Sequence, residues 1–235
     1  MKKNQLLPEI PVPMHESPEA FKARFKKDED LEDADIHSAI RGIEKVDSKL
    51  KKINKVRERI LADRTLNKAA KQAEFLKYVR KVDNELSEDI ARVSRIVDRR
   101  TQELSEVINR EVTEEAGGRF SSEIRSHVFN LPHKTDRMQF IKKRIDAGDF
   151  ESASAVLGSK HYLAGLDEET QKNLLNYYRE KRFSKQMKIR KAMDKIGDSM
   201  LHKVTMTTKF RKSIENKDTI SDVEAMQARI EAMAD

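Results

Sequence analysis

The chain has 235 residues, 38% of them charged and 37% hydrophobic, with no Cys and a net charge of +7. The charged share exceeds the globular norm of about 25% and the apolar share falls below the norm of about 45–50%, so one thick core is excluded and narrow apolar stripes on long helices are expected. Without Cys, a disulfide framework, a thiolate metal site and a cysteine nucleophile are excluded.

Residues 1–35 read as an extended arm with a charged lead-in. Four of the five prolines fall in residues 1–20, and proline fixes φ and biases its predecessor to extended backbone. Pro8, Pro11 and Pro13 also break the apolar run that a secretory signal would need. Between them sit the apolar beads Leu6, Leu7, Ile10, Val12 and Met14, which leave two readings: plain disorder, or a tether that docks on a neighbouring surface. The acids of 28–35 then precede a helical pattern, where they complement a helix dipole.

Residues 36–116 read as a long helical hairpin. Ile36, Ile40, Ile43, Val46, Leu50, Ile53 and Ile60 recur at helical steps, and ADRTLNKAA, 62–70, interrupts them with Asp63 and Thr65 as turn or cap residues. A second helix follows without Gly or Pro as far as Gly117-Gly118. Its stripe includes Leu86, Ile90, Val93, Val97, Leu104 and Ile108 and overhangs the first helix. The overhang needs a partner, either the C-terminal part of the chain or another subunit, and the stripe predicts intermolecular pairing or docking on a neighbour.

Residues 119–166 read as a small helical module with breaks at Leu131-Pro132, Gly148, Gly158 and Gly165. Ser121 or Ser122 is the expected cap of its first helix, and Met138, Ile141 and Ile145 the inward face of its second. Phe150, Val156, Leu157, Tyr162, Leu163 and Leu166 are the expected small core, with the glycines supplying left-handed turns. Residues 167–235 read as a basic helix, capped by Asp167, and a tail with an amphipathic piece from Ile220 to Met233. Residues 179–212 hold twelve Lys and Arg against three acids. Lys181, Arg182, Lys185, Lys188, Arg190 and Lys191 are candidate contacts to phosphates or to an acidic surface, with Tyr177, Tyr178 and Phe183 beside them as a possible stacking platform. The apolar spacing places Tyr178 in a core instead.

The fold class is therefore all-α. No phosphate-binding glycine loop, HExxH or GxSxG motif occurs, so no catalytic residue, metal site or cofactor is assigned. No run reaches about 18 apolar residues, so no membrane-spanning helix is expected.

EIRSHV (123–128), RMQFIKKRIDAGD (137–149) and SAVLGSKHYLAGLDEET (154–170), with the turn Leu61 to Leu66 upstream, resemble a pattern found in helical head-region proteins of tailed bacteriophages and prophages. The resemblance covers roughly residues 55–200 and leaves out the 1–35 arm and the C-terminal end. It implies a non-enzymatic structural or assembly role, as scaffold, internal head or neck-associated component, in the virion or host cytoplasm; the overhanging stripe of the second helix adds self-association or docking on a capsid or portal protein as the expected contacts. A nucleic-acid-binding protein using 179–212, and a phage-encoded regulator docking on a host protein, are the alternatives.

Overall fold

The computed structural model describes residues 7–10, 20, 23 and 31–214. The amphipathic piece 220–233, and the arm and lead-in apart from 7–10, 20, 23 and 31–35, lie outside the described residues, and Ala20 and Ala23 are helical rather than extended. Every regular element described is helical: α1 (Ala34–Ala62), α2 (Lys68–Ala116), α3 (Ser121–Phe129), α4 (Lys134–Asp146), α5 (Phe150–Leu157), a 3₁₀ turn (His161–Ala164), α6 (Glu168–Arg182) and α7 (Ser184–Ile214). No described helix is long and apolar enough to cross a membrane.

Local chemistry sets the ends of the hairpin. Asp33 caps α1 by accepting from the Asp35 and Ile36 amides at 2.9 and 3.2 Å. At the turn, Asp63 accepts from both the amide and the hydroxyl of Thr65, at 2.8 and 2.7 Å. Those bonds hold its carboxyl below the usual carboxylate range. Asn67 then accepts from the Ala70 amide at 2.9 Å and serves as the cap of α2.

The chain divides into two compact units, Met1–Asp98 with Asp194–Asp235, and Arg99–Met193. The divisions fall inside α2 and α7 rather than at Gly117 and Leu166, because each long helix supplies apolar positions to both units.

In the first unit α1 and α2 run antiparallel. Lys49 bridges Glu85 and Asp89 at 3.1 and 2.8 Å. Gly42 admits the close approach of Val93, whose Cγ2 would lie 2.3 Å from any Cβ placed there. The part of α7 from 194 onward lies along both helices. Arg211 pairs with Asp83 at 2.7 Å and donates to Ser87 at 2.6 Å, and Phe210 meets Phe75 edge-on at 6.2 Å. Lys203, 2% exposed, donates to Asp47 at 2.5 Å. Ile36, Ile40, Ile43, Val46, Leu50 and Ile53 are all buried, and Ile60 is half-buried near the turn.

In the second unit α5 is the central element. Ala153 to Leu157 are buried without exception, so its C-terminal carbonyls need partners other than water. Arg125 donates to Ala155 O at 3.0 Å, and Gln171 donates to Leu157 O and Ser159 O at 3.1 and 2.7 Å. Ile108 and Val112 of α2, Val128, Ile141, Ile145, Leu174, Tyr178 and Phe183 complete the core around it.

Several expectations need correction here. The glycines do not all serve left-handed turns. Gly148 and Gly165 do, at φ 74° and 63°, but Gly158 is right-handed at φ −83°. A Cβ on Gly158 would sit 2.5 Å from the Ala116 Cβ and 2.9 Å from the Val112 carbonyl, so it is small to let α2 approach. Neither Ser121 nor Ser122 caps α3: the cap position is Phe120, without a side-chain bond, and Ser121 is the first helical residue. The basic helix is not continuous. Phe183 leaves helical geometry at φ −115°, ψ 39°, and its ring, 2% exposed, enters the core beside Tyr178.

Asp167 caps α6 as the sequence predicts, through the Thr170 amide at 2.8 Å and hydroxyl at 3.0 Å. Lys134, 2.5 Å away, is the first cause of a carboxyl held well below the usual range, and the Thr170 bonds add to it. A depressed folded pKa stabilises above the unfolded value and loses that effect as pH falls. The melting-temperature deficit of Asp167→Ala is therefore full above about pH 4 and shrinks in more acid solution. A deficit that does not change between pH 7 and acid would show that the charge plays no part.

Candidate protein interaction surface

The stripe proposed for a partner is largely used up inside the chain. Leu86, Val93, Val97, Leu104 and Ile108 are all buried, and only Ile90 is half-exposed. In the first unit α1 and α7 lie against α2, with Gly197 of α7 facing the Val97 side chain. In the second, Ile108 belongs to the module core. The C-terminal part thus supplies the missing partner, and the stripe gives no reason for a second subunit. Periodicity showed that α2 needed cover and could not show which later segment gave it.

The module core is also corrected. Val156, Leu157 and Leu166 are inside, and Phe150 packs at the edge, 5.5 Å from Tyr178 in a perpendicular contact. Tyr162 and Leu163 point outward, 60% and 47% exposed. They lie in the 3₁₀ turn, whose three-residue period lets Ala164 take the inward position at 0% exposure. Met138, expected inside, is also exposed, while Ile141 and Ile145 are buried as expected.

A second exposed aromatic sits beside that turn. Phe129, 51% exposed, ends α3. Arg137 fixes it there: its guanidinium lies 5.9 Å from the Phe129 ring and donates to Gly165 O at 2.6 Å. It also donates twice to Leu131 O, at 3.1 and 2.9 Å. The left-handed Gly165 leaves room for this, since a Cβ would lie 2.6 Å from Arg137 Nη1. Arg137 therefore ties Leu131, just past the end of α3, to Gly165, just past the 3₁₀ turn, and Phe129, Tyr162 and Leu163 are exposed on the two elements it joins. The sequence reading missed Arg137 and Phe129. Their signal was an aromatic off the apolar face of α3, just before the Leu131-Pro132 break.

The cationic set is less available than its sequence density suggests. Arg182 pairs with Glu115 at 3.3 Å and lies over Phe150 at 5.1 Å, while Lys191 pairs with Glu180 at 2.8 Å. Lys181 and Lys142 both rest against the Tyr177 ring, at 5.5 and 5.3 Å. The Tyr177 hydroxyl donates to Asp146, which raises its pKa and keeps it protonated. Lys185 is exposed, and Lys188 and Arg190 are half-buried. The break at Phe183 puts Lys181 and Arg182 on α6 and the other four on α7, so no single helix face collects them. Tyr178 and Phe183, two of the three stacking candidates, are core residues.

Among the described residues no three His, Asp or Glu side chains converge as a metal ion would require. Comparison of the chain with protein-family models, curated proteins and solved structures gives no match.

Proposed function

We propose that this chain is a non-enzymatic structural or assembly protein of a bacteriophage particle, a scaffold, internal head or neck-associated component that works through helical protein–protein contacts. The observation that carries the contact-making role is the exposure of Phe129, Tyr162 and Leu163 on the two elements that Arg137 joins. Aromatic and Arg side chains are the usual anchors of protein interfaces, and rigid presentation lowers the entropy lost on docking. Here the frame is the Arg137 clamp, which costs the free protein nothing further to form. The virion setting rests on the sequence resemblance over residues 55–200.

The test is a phage whose copy of this chain carries Phe129→Asp, Tyr162→Asp and Leu163→Asp. These side chains are about half or more exposed, so helicity and melting should stay near wild type. Incorporation into purified particles should drop about tenfold or more, as loss of interface anchors does. Unchanged incorporation would remove the patch from the interface.

A further inference from the structure

Arg179 ends up beside Arg190 because the basic stretch breaks at Phe183. Arg179 is on α6 and Arg190 on α7, on either side of that break. In one continuous helix the two would lie about 16 Å apart along the axis. The break draws the helices together at this point: Lys191 pairs with Glu180 at 2.8 Å, and each of those residues directly follows one of the two arginines. Burial first, and the Arg190 charge second, lower the Arg179 pKa.

Two guanidiniums so placed repel, and among the described residues no carboxylate pairs with either. Glu180 is taken by Lys191, and Glu115 by Arg182. Arg179 Nη2 donates to Oδ1 of the neutral Asn109 on α2 at 2.8 Å, while its Nε is buried with no acceptor. A desolvated cation without a counter-charge is costly, and a second cation beside it adds to the cost. An anion that accepts from both arginines offsets both costs. Both side chains are half-buried, and Asn109 already orients one of them, so little freedom is left to lose on binding. The donors select among anions. Each guanidinium is a planar fork that grips two oxygens, so two forks match a group with three or more oxygens and up to two charges, whereas a single carboxylate fills one fork.

We propose that Arg179 and Arg190 form an oxyanion site that takes a phosphate group. The inference rests on neither the particle reading nor the Phe129 patch. The full chain is labelled with ¹⁵N, and its arginine Nε–H signals are followed as inorganic phosphate is added, with sodium chloride at matched ionic strength as reference. The expected result is a saturable shift of the Arg179 and Arg190 signals that chloride does not reproduce. Arg190→Gln should weaken phosphate binding about tenfold or more. Arg190→Lys, which keeps the charge and loses the fork, should weaken it as well and serves if the Gln variant does not fold. Lys185→Gln, an exposed change on the same helix, should leave affinity within about twofold. A single-stranded oligothymidylate that moves the same signals assigns the phosphate to a nucleic-acid backbone; if inorganic phosphate alone moves them, the group belongs to a small molecule. Shifts that chloride reproduces, an affinity equal in wild type and the Arg190 variants, or an equal loss in Lys185→Gln would overturn the proposal.

Discussion

Lys203→Met should destabilise the chain by about 3–5 kcal/mol, although it replaces a charge with an apolar side chain of similar length. Lys203 is 2% and Asp47 9% exposed, and they meet at 2.5 Å between α7 and α1. Removing the ammonium leaves the carboxylate desolvated and without its counter-charge. Asp47→Leu should cost a comparable amount for the mirror-image reason. The double variant should recover most of the loss or exceed wild-type stability, because a buried pair rarely outweighs a well-packed apolar one. Chemical denaturation with a double-mutant cycle reads this coupling directly. With two compact units the transition need not be two-state, so hydrogen exchange of the α1 amides assigns the change to the first unit. Additive single-site losses would mean that the two charges do not depend on one another.

Tyr178→Ala should be the corresponding loss in the second unit, again about 3–5 kcal/mol. The ring is 0% exposed and meets Phe150 at 5.5 Å and Phe183 at 6.2 Å, both edge-on. Tyr178→Phe isolates the hydroxyl, which donates to Glu115 at 2.6 Å. Its loss should cost about 1.5–3 kcal/mol, the range for a bond to a charged group, reduced because Arg182 still pairs with Glu115. Burial first, and the Glu115 bond second, push the phenol well above its ordinary value. A raised folded pKa stabilises the protonated form, so this contribution is full below about pH 10 and fades only in stronger alkali. Equal stability of the Ala and Phe variants would show that the ring packs nothing.

The contrast between α1 and the module explains what sequence alone could reveal. The stripes of α1 and α2 were legible because long helices repeat one constraint many times, and each repeat confirms the face. Short elements give no such redundancy. In the 3₁₀ turn the choice between Tyr162, Leu163 and Ala164 was decided by a three-residue period and by the room available, so the smallest residue went inside. Phe183 broke a helix that no Gly or Pro marked, because its ring gained more in the core than the backbone lost in one turn. Gly158 was legible as special, but its reason, contact with Ala116 and Val112, lies over forty residues upstream. The Arg137 clamp and the two bonds between Asn54 and the backbone of Ile10 were invisible for the same reason: each joins segments far apart in sequence through backbone atoms, which carry no residue signature.

We propose that this chain belongs to an assembled particle and acts there by contact. Quantitative mass spectrometry of purified virions and of empty precursor shells tests it most directly. The account predicts the chain in at least one of the two, in precursor shells alone if it is a scaffold and in mature virions if it is retained. Absence from both would contradict it.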